Sequence, residues 1–600
     1  MKLPRPLIAM VSQPERIVIL FQILVLFTYS WGIEEVGYSR EVEVFYMRPA
    51  LQMIQSNNYL YPIYEGQLRL KKPPLTYWII SLSYKIFGVN LFAARFPTVL
   101  LAMLTAYLTY QLGLLLFHCK KTGLYAMCAL ISSFVFYQYG RLAVTDMLLT
   151  CAILAAFYCF AAAIFQKKWS MGVGGWVCTA IAVLTKGPIG MAVPIVSLST
   201  FFLFYYRKRD WKISHVVSPL GILLFLIMVL SWVIALRVNL PAQSIYTHVS
   251  KELGLHIGIF WEHLFSGPFF YLLVMQHGLF PWSLLLFFYF SAKSWNAPVS
   301  LLVLWAGSLI LIFSFFVYML QLRYLLPATP ALALLAGYAL RQLEVNHRFS
   351  GKLSYIFFLV FGIGLSLAFI FNAAVLTPLA FLLHNNTLIA GTFALSTLTL
   401  FTALWYFTTL KNKQYERLIF GGTAAMVLLL GGHHKLWIAN GKSNPYYHIG
   451  KEYFREVNPA SSIATVGIDK TNRSWFVIGS SHELLVMPHR QSFPKRSYNR
   501  PLPRTADIVD IDKSQKVFYW LSETLPDYLI IHENRFDDMP QSLREQYRVL
   551  SKLPDDSTDL SMAPQQWFDH VLTGKPFDVS FHNIPAVFPA IYLLGHSAMN

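Results

Sequence analysis

The sequence predicts an α-helical polytopic membrane protein with about thirteen spans, followed by an α/β domain outside the membrane. Three observations support this fold class. Hydrophobic side chains make up 56% of the 600 residues and charged ones only 13%, whereas charged residues form about a quarter of a soluble domain. Apolar runs of spanning length recur as far as residue 433. A polar stretch with short β-type runs follows them.

Apolar runs of roughly 17 to 25 residues mark the candidate spans. They cover residues 14–33, 91–117, 122–139, 147–166, 170–185, 188–206, 214–236, 267–291, 298–319, 324–340, 354–374, 387–409 and 418–433. The first run follows Lys2, Arg5 and Arg16 and lacks a small-x-small cleavage site, so we expect an uncleaved span with a cytoplasmic N terminus. With that orientation the loops on the inner side are all basic, as the positive-inside rule requires.

The loops expected on the outer side carry isolated charges at the ends of spans. These loops cover residues 34–90, 140–146, 185–188, 237–268 and 321–323. An ionisable residue in or beside a span costs about 2.5–3.5 kcal/mol on insertion scales, so it is a functional candidate. Because the candidates gather on one face, the sequence predicts a site on the extracytoplasmic side of a plasma (inner) membrane.

The region after residue 433 is expected to form a soluble extracytoplasmic α/β domain. The chain then divides into a transmembrane domain at 1–433, which includes the first outer loop at 34–90, and a soluble domain at 434–600. The runs 462–468, 474–478 and 527–531 predict strands, and 541–553 predicts a helix. The apolar segment from Val579 onward is expected to pack on this domain or on the bilayer.

Several other classes of protein are disfavoured. The net charge of +18 comes from short basic loops between spans and not from a basic groove, so no nucleic-acid partner is expected. No Walker sequence or strand-GxGxxG-helix unit is present, which argues against nucleotide chemistry. The five cysteines all lie at or before Cys178, in or beside apolar runs, and predict no disulfide framework or CxxC metal site. No internal repeat supports a transporter.

A divalent metal remains possible but has no support, and no cofactor is assigned. The histidines in or beside the long outer loop do not have HExxH spacing; they are His248, His256, His263 and His277.

The first outer loop holds two candidate carboxylates and a lysine pair. Glu41 and Glu43 would diverge on a helix and share a face in a strand. Each is either a solvated charge or, partly buried beside a substrate hydroxyl, a general base. Lys71 and Lys72 precede an aromatic stretch and are either interfacial anchors or cations that bind a phosphate.

Three further charges lie in the later outer loops. Asp146 either complements a helix dipole or belongs to a site together with the first loop. Lys186 could bind a phosphate, and so could Arg323. Arg323 and Tyr324 open a span at its expected outer end, where the positive-inside rule disfavours a cation. A reaction on this face needs an activated donor held in the membrane, and a polyprenyl-phosphate sugar fits that need.

The order of these motifs resembles that of the GT-C-type glycosyltransferases. The resemblance is greatest to the aminoarabinose transferases of lipid A and to the wider protein-mannosyltransferase-like group. The matching segments, which together cover about residues 15–340, are KKPPLTYW at 71–78, FGVNLFAARFP at 87–97, GRLAVTD at 140–146, LTKGP at 184–188, GLFPWS at 278–283 and LRYLLPATPAL at 322–332.

This resemblance implies an inverting transfer from a polyprenyl-phosphate sugar, the co-substrate, to a glycolipid such as lipid A or to a protein. An acidic residue of the first loop would assist the acceptor hydroxyl, and Asp146 matches the second acidic position. The positions expected to bind substrate are Tyr46, Lys71, Lys72, Lys186, His256, Arg323 and Tyr324.

Three positions depart from the family pattern. The usual first-loop aspartate is Val42 here, so Glu41 or Glu43 would have to replace it. The acidic residue that the family carries just before the lysine of its Lys-Pro motif is replaced here by Lys71. The long outer loop has ELGLH at 252–256, where relatives tend to carry a Glu-His-x-x-Arg-like run. Two hypotheses therefore stay open, an extracytoplasmic glycosyltransferase and a non-catalytic protein that binds a lipid-linked sugar on the same scaffold. No oligomeric state is predicted.

Overall fold

The computed structural model describes residues 14–34, 41–64, 67–205, 213–243, 245–246, 266–280, 282–290, 296–315, 321–345, 359–360, 362–364, 366, 386–411, 414–440, 463–466, 528–532, 539–553 and 591–596. The chain divides into two compact units. The first comprises residues 1–34 and 45–439, and the second comprises residues 35–44 and 440–600.

Helices dominate the chain as far as residue 440. They are α1 (Pro14–Ser30), α2 (Glu41–Ser56), α3 (Leu75–Phe87), α4 (Leu91–Phe117), α5 (Lys120–Ile131), α6 (Phe134–Tyr139), α7 (Thr145–Phe165), α8 (Trp169–Lys186), α9 (Ile189–Tyr205), α10 (Pro219–Asn239), α11 (Ser266–Gly278), α12 (Trp282–Phe290), α13 (Ala297–Phe315), α14 (Thr329–Val345), α15 (Asn386–Lys411) and α16 (Tyr415–Asn440). Two 3-10 helices cover Ile213–His215 and Leu322–Ala328, and a short antiparallel hairpin pairs β1 (Ile63–Tyr64) with β2 (Gln67–Leu68).

Within the described residues, five helices are long and apolar enough to cross a membrane. They are α4, α7, α10, the segment Ala297–Ser314 of α13 and the segment Thr392–Lys411 of α15. Helix α4 coincides with the predicted run 91–117, because Asn90 caps its first turn by accepting a hydrogen bond from the Ala93 amide at 2.8 Å. The chain is thus a mostly helical, polytopic membrane protein.

The predicted spans 122–139 and 267–291 are each divided into two helices. The run 122–139 breaks between α5 and α6, where the Ser132 hydroxyl donates to the Cys128 carbonyl and the Ser133 hydroxyl donates to the Leu130 carbonyl. Serine hydroxyls that bond the backbone in this way compete with the helical pattern. The run 267–291 is likewise divided into α11 and α12. The predicted span 354–374 lies mostly outside the described residues.

Small residues let the central helices of the first unit approach closely. A Cβ on Gly123 of α5 would stand 2.5 Å from the Tyr110 carbonyl oxygen of α4. A Cβ on Gly337 of α14 would stand 2.5 Å from the Ala126 amide nitrogen of α5. Close backbone contact of this kind supports helix association in a membrane, where burial of apolar surface gives little advantage.

The first outer loop is an ordered layer of helix α2, the hairpin and helix α3. The Ser81 hydroxyl of α3 donates to the Ala50 carbonyl of α2 at 2.9 Å, and the Trp78 indole donates to the Tyr59 carbonyl at 2.6 Å. Helix α3 in turn contacts α4. The loop is thereby tied to the bundle at the point where α4 begins.

The second unit contains a four-stranded sheet in the order β3 (Ile463–Val466), β4 (Tyr528–His532), β6 (Ile591–His596) and β5 (Tyr547–Leu553). Strands β3 and β4 are parallel, and the other two pairs are antiparallel. The predicted strands at 462–468 and 527–531 correspond to β3 and β4, whereas 474–478 lies outside the described residues.

The predicted helix over 541–553 is wrong for most of its length. Only α17 (Gln541–Arg544) is helical, and strand β5 follows it. Strand β5 is paired along its length with β6, so hydrogen bonds to a distant segment outweigh the local helical preference.

Candidate functional site

An ion pair between α7 and α8 lies at the centre of the candidate site. Asp146 stands in the first turn of α7, where the helix dipole favours a carboxylate, and Lys186 is the last residue of α8, where it favours a cation. The Lys186 Nζ lies 2.5 Å from the Asp146 Oδ1. Only 1% of the Asp146 side chain and 9% of the Lys186 side chain are exposed. Two charges 40 positions apart in the sequence thus form one buried pair.

Aromatic rings cover the other side of Lys186. Its Nζ lies 4.6 Å from the centre of the Tyr324 ring and 5.8 Å from that of Phe313. These two rings stack on each other with centroids 5.0 Å apart. A cation desolvated against aromatic faces is held in place electrostatically, so Lys186 is fixed in position by both the carboxylate and the rings.

Arg323 joins the same group from the 3-10 helix that precedes α14. Its guanidinium carbon lies 5.4 Å from the centre of the Tyr324 ring. The Arg323 Nε is buried and makes no hydrogen bond. A buried guanidinium nitrogen without an acceptor leaves one donor available for a ligand.

Tyr46 of α2 connects the first outer loop to this group. The residue is buried, and burial raises the pKa of its phenol, which the nearby Asp146 carboxylate raises further. The guanidiniums of Arg323 and Arg69 oppose that rise. Tyr46 therefore stays protonated at neutral pH, within electrostatic reach of an aspartate and two arginines.

Arg69 is a site residue that sequence reasoning missed. It follows strand β2, and its amide donates to the Pro62 carbonyl at 3.0 Å. Its guanidinium carbon lies 4.5 Å from the centre of the Phe45 ring and 5.6 Å from that of Tyr64. The signal available in the sequence was the turn pair EG at 65–66 between two short β-type segments, which predicts a hairpin that returns the chain towards its own start.

The lysine pair of the first loop is divided between two environments. Lys71 is exposed, whereas Lys72 is half-buried. Of the two, Lys72 has the surroundings expected of a ligand-binding cation, and Lys71 those of a solvated one.

The two first-loop glutamates lie on a helix. Helix α2 begins at Glu41, so Glu41 and Glu43 diverge and do not share a face. Glu43 is fully buried, and Val42 between them is half-buried. Only the backbone of Glu41 is described, and His256 lies outside the described residues. No group of three or more His, Cys, Asp or Glu residues suited to a metal ion occurs among the residues that the structure describes.

The chain is similar to known proteins over most of its length. The family profile described as dolichyl-phosphate-mannose-protein mannosyltransferase matches residues 71–234, which include Lys72, Asp146 and Lys186. An uncharacterised protein of Aquifex aeolicus is 30% identical over 452 residues, which span 75% of this chain and 83% of that protein. The undecaprenyl phosphate-alpha-4-amino-4-deoxy-L-arabinose arabinosyl transferase of Edwardsiella ictaluri is 27% identical over 413 residues, which span 65% of this chain and 71% of the transferase.

A similar fold occurs among solved structures. The crystal structure of ArnT from Cupriavidus metallidurans bound to undecaprenyl phosphate matches with a TM-score of 0.67. The match covers 89% of this chain and 96% of ArnT at 17% identity, so it shows a common fold.

Proposed function

Because this chain belongs to the GT-C family of polyprenyl-phosphate-sugar glycosyltransferases, we propose that it transfers a sugar from a polyprenyl-phosphate donor to an acceptor of the cell envelope. The acceptor is a glycolipid such as lipid A or a protein, and the reaction takes place on the extracytoplasmic face with inversion at the anomeric carbon. The observation that carries the proposal is the buried group formed by Asp146, Lys186, Tyr46 and Arg323 at one end of the bundle.

The chemistry of this group suits a phosphate that gains charge during the reaction. A donor phosphodiester carries one negative charge, and the polyprenyl phosphate that leaves carries up to two. Cations already fixed in a poorly hydrated site stabilise such developing charge without reorganising, and each donor of this kind typically contributes about 2.7–4 kcal/mol. Lys186 is held in place by Asp146 and Tyr324, so it is pre-positioned in this sense. Lys72 and Arg323 are the other cations that we assign to the donor phosphate.

The transfer step needs a base for the acceptor hydroxyl. In the proposed reaction the hydroxyl oxygen attacks the anomeric carbon while its proton passes to a carboxylate. The bond from that carbon to the phosphate oxygen breaks, and the electron pair leaves with the phosphate. We assign the base to Glu43, since it is buried and stands next to Val42, the position of the family's usual aspartate. Glu41 is the alternative base.

A pair of matched variants tests this assignment. We expect Glu43→Gln to reduce transfer at least a hundredfold and Glu41→Gln to leave it within about threefold, because removal of a general base typically costs 10²–10⁴ in rate. The assay follows a labelled sugar from a synthetic polyprenyl-phosphate donor in proteoliposomes, together with mass spectrometry of envelope glycolipids and glycoproteins from a deletion strain. If Glu41→Gln reduced transfer more than Glu43→Gln did, the general base would be Glu41.

Val42 also favours a second candidate function, a non-catalytic protein that binds lipid-linked sugar. Under that hypothesis the purified protein binds the donor saturably and no transfer occurs to any envelope fraction. Donor binding with turnover excludes it, and donor binding without turnover would overturn the catalytic proposal.

A further inference from the structure

Arg69 and Arg323 both act electrostatically on Tyr46, and they differ from Lys186 in how their polar atoms are satisfied. Lys186 has a carboxylate 2.5 Å away, which neutralises its charge. The Nε atoms of Arg69 and Arg323 are each buried and make no hydrogen bond. A buried donor of a charged group that lacks an acceptor is unfavourable, so two such donors require an explanation.

The position of Arg69 is built by several contacts. The hairpin β1–β2 brings the chain back, and the amide bond to Pro62 places Arg69 directly after it. The Arg69 guanidinium lies over the rings of Phe45 and Tyr64, which meet edge to face with their centroids 5.3 Å apart. A guanidinium stacked on aromatic faces keeps its N–H edge free to meet a planar or tetrahedral anion.

Arg69 is also linked electrostatically to Tyr46, a residue of the candidate site. The Tyr46 and Tyr77 rings lie 5.7 Å apart, and Tyr77 is fully buried. Burial and Tyr46 raise the pKa of Tyr77, and Arg69 opposes them, so the Arg69 guanidinium acts electrostatically on both phenols. With Lys186, the two guanidiniums make three cations in this group, and the Asp146 carboxylate balances one of them.

We propose that Arg69 is a phosphate-binding residue that acts together with Arg323 on the polyprenyl phosphate as it leaves. This inference rests on the proposed function. Two fixed cations match the two charges of a phosphate monoester, whereas the donor diester has one charge to offer. Arg69 therefore binds the product phosphate, and the transition state that resembles it, more tightly than the donor.

Binding measurements separate this role from a merely structural one. The probes are undecaprenyl monophosphate and a non-reactive diester analogue of the donor, titrated by calorimetry into the full chain in nanodiscs at pH 5 and pH 7.5. The second ionisation of a phosphate monoester lies near pH 6, so monoester binding should tighten between these values and diester binding should not. The diester series also corrects for titration of the protein itself.

We expect Arg69→Gln to weaken monoester binding at pH 7.5 by about ten- to a hundredfold, the effect of losing a hydrogen bond to a charged group. We also expect it to remove most of the tightening between pH 5 and pH 7.5. Arg69→Lys should recover part of the affinity, because lysine keeps the positive charge but lacks the planar guanidinium that donates two parallel hydrogen bonds. The matched control is Lys85→Gln, which removes an exposed cation that stacks on Tyr59 at 4.7 Å, and it should bind as the unmodified protein does.

The outcomes distinguish the two proposals. If the unmodified protein binds neither probe, the proposed function is wrong. If it binds both, and Arg69→Gln keeps the same monoester affinity and the same change with pH, the function stands and the role of Arg69 is wrong.

Discussion

Two clusters of charge lie at opposite ends of helix α14, roughly 20 Å apart by the rise of the helix. The outer cluster consists of Asp146 with Lys186, Arg323 and Arg69, and it is largely buried. The inner cluster centres on Glu344, which accepts from Lys121 at 2.9 Å and from Arg341 at 2.6 Å.

The inner cluster is balanced and open to solvent. Its members are Lys120, Lys121 and Arg341 with Glu15, Glu344 and Glu416, three cations with three carboxylates. Their side chains are between 26% and 55% exposed. The cluster connects α1, α5, α14 and α16. Exposed pairs of this kind typically contribute less than about 1 kcal/mol each, so the loss of one pair should change the stability little.

The outer cluster differs from the inner cluster in both burial and charge balance. Asp146 and Lys186 are removed from water and form a buried ion pair, whereas Arg69 and Arg323 each keep a buried Nε that makes no hydrogen bond. Burial of charge is unfavourable unless pairing and hydrogen bonds offset it, so an incompletely satisfied buried cluster is a poor stabilising element. The difference teaches that charge balance and exposure separate a structural cluster from one prepared for an anionic ligand.

The largest expected contrast concerns the removal of one carboxylate from each cluster. Asp146→Asn leaves Lys186 buried without a counter-ion and should destabilise the protein by about 3–5 kcal/mol, besides abolishing transfer. Glu344→Gln should lower the free energy of unfolding by less than about 1 kcal/mol. Thermal unfolding in detergent, with the transfer assay in parallel, measures both. Equal losses of stability would remove the distinction between the clusters.

The second contrast uses the same residue type at the two ends of α14. Arg323→Gln should reduce sugar transfer about a hundredfold, because a fixed cation near the developing phosphate charge is lost. Arg341→Gln removes a matched arginine from the inner cluster and should leave transfer within about twofold. Initial rates at saturating donor measure the effect, with circular dichroism to verify folding. A similar fall in both variants would show that the effect is structural.

The smallest expected effect sharpens the comparison through pH. Burial raises the pKa of Glu344, but hydrogen bonds from Lys121 and Arg341 outweigh it and the net pKa is lowered. A lowered carboxyl pKa contributes stability above the unfolded value of about 4.3, and that stability is lost as the pH falls through the folded value. Melting temperatures at pH 7 and pH 3.5 should differ less for Glu344→Gln than for the unmodified protein. No difference between the two proteins would contradict the assignment.

Local patterns predicted much of the helical architecture. The bounds of α4 coincide with the apolar run 91–117, because that run begins beside a capping asparagine and ends at His118, whose φ of 51° closes the helix. The break at Ser132 and Ser133 was not predictable from hydrophobicity, since apolar residues continue on both sides. Strand β5 was misassigned because its partner β6 lies about 40 positions later.

The candidate site, too, was predicted from the sequence only in part. The sequence placed Asp146, Lys186 and Arg323 in outer loops, because charges at span ends are conspicuous in an apolar chain. It did not pair them, and it passed over Arg69, which looked like one more charge of a polar loop. The hairpin and the stack on Phe45 give Arg69 its position, and neither contact leaves a strong local signal.

By itself, the sequence determined that the chain is a membrane protein, where most of its helices lie and which family it resembles. These properties follow from apolar content, its run lengths and the order of short motifs, all of which are local along the chain. Only the tertiary structure decided that Lys186 is neutralised by Asp146 while Arg69 and Arg323 keep unsatisfied donors beside Tyr46. Electrostatic interactions depend on distance and burial in space, and packing of helices remote in sequence sets both.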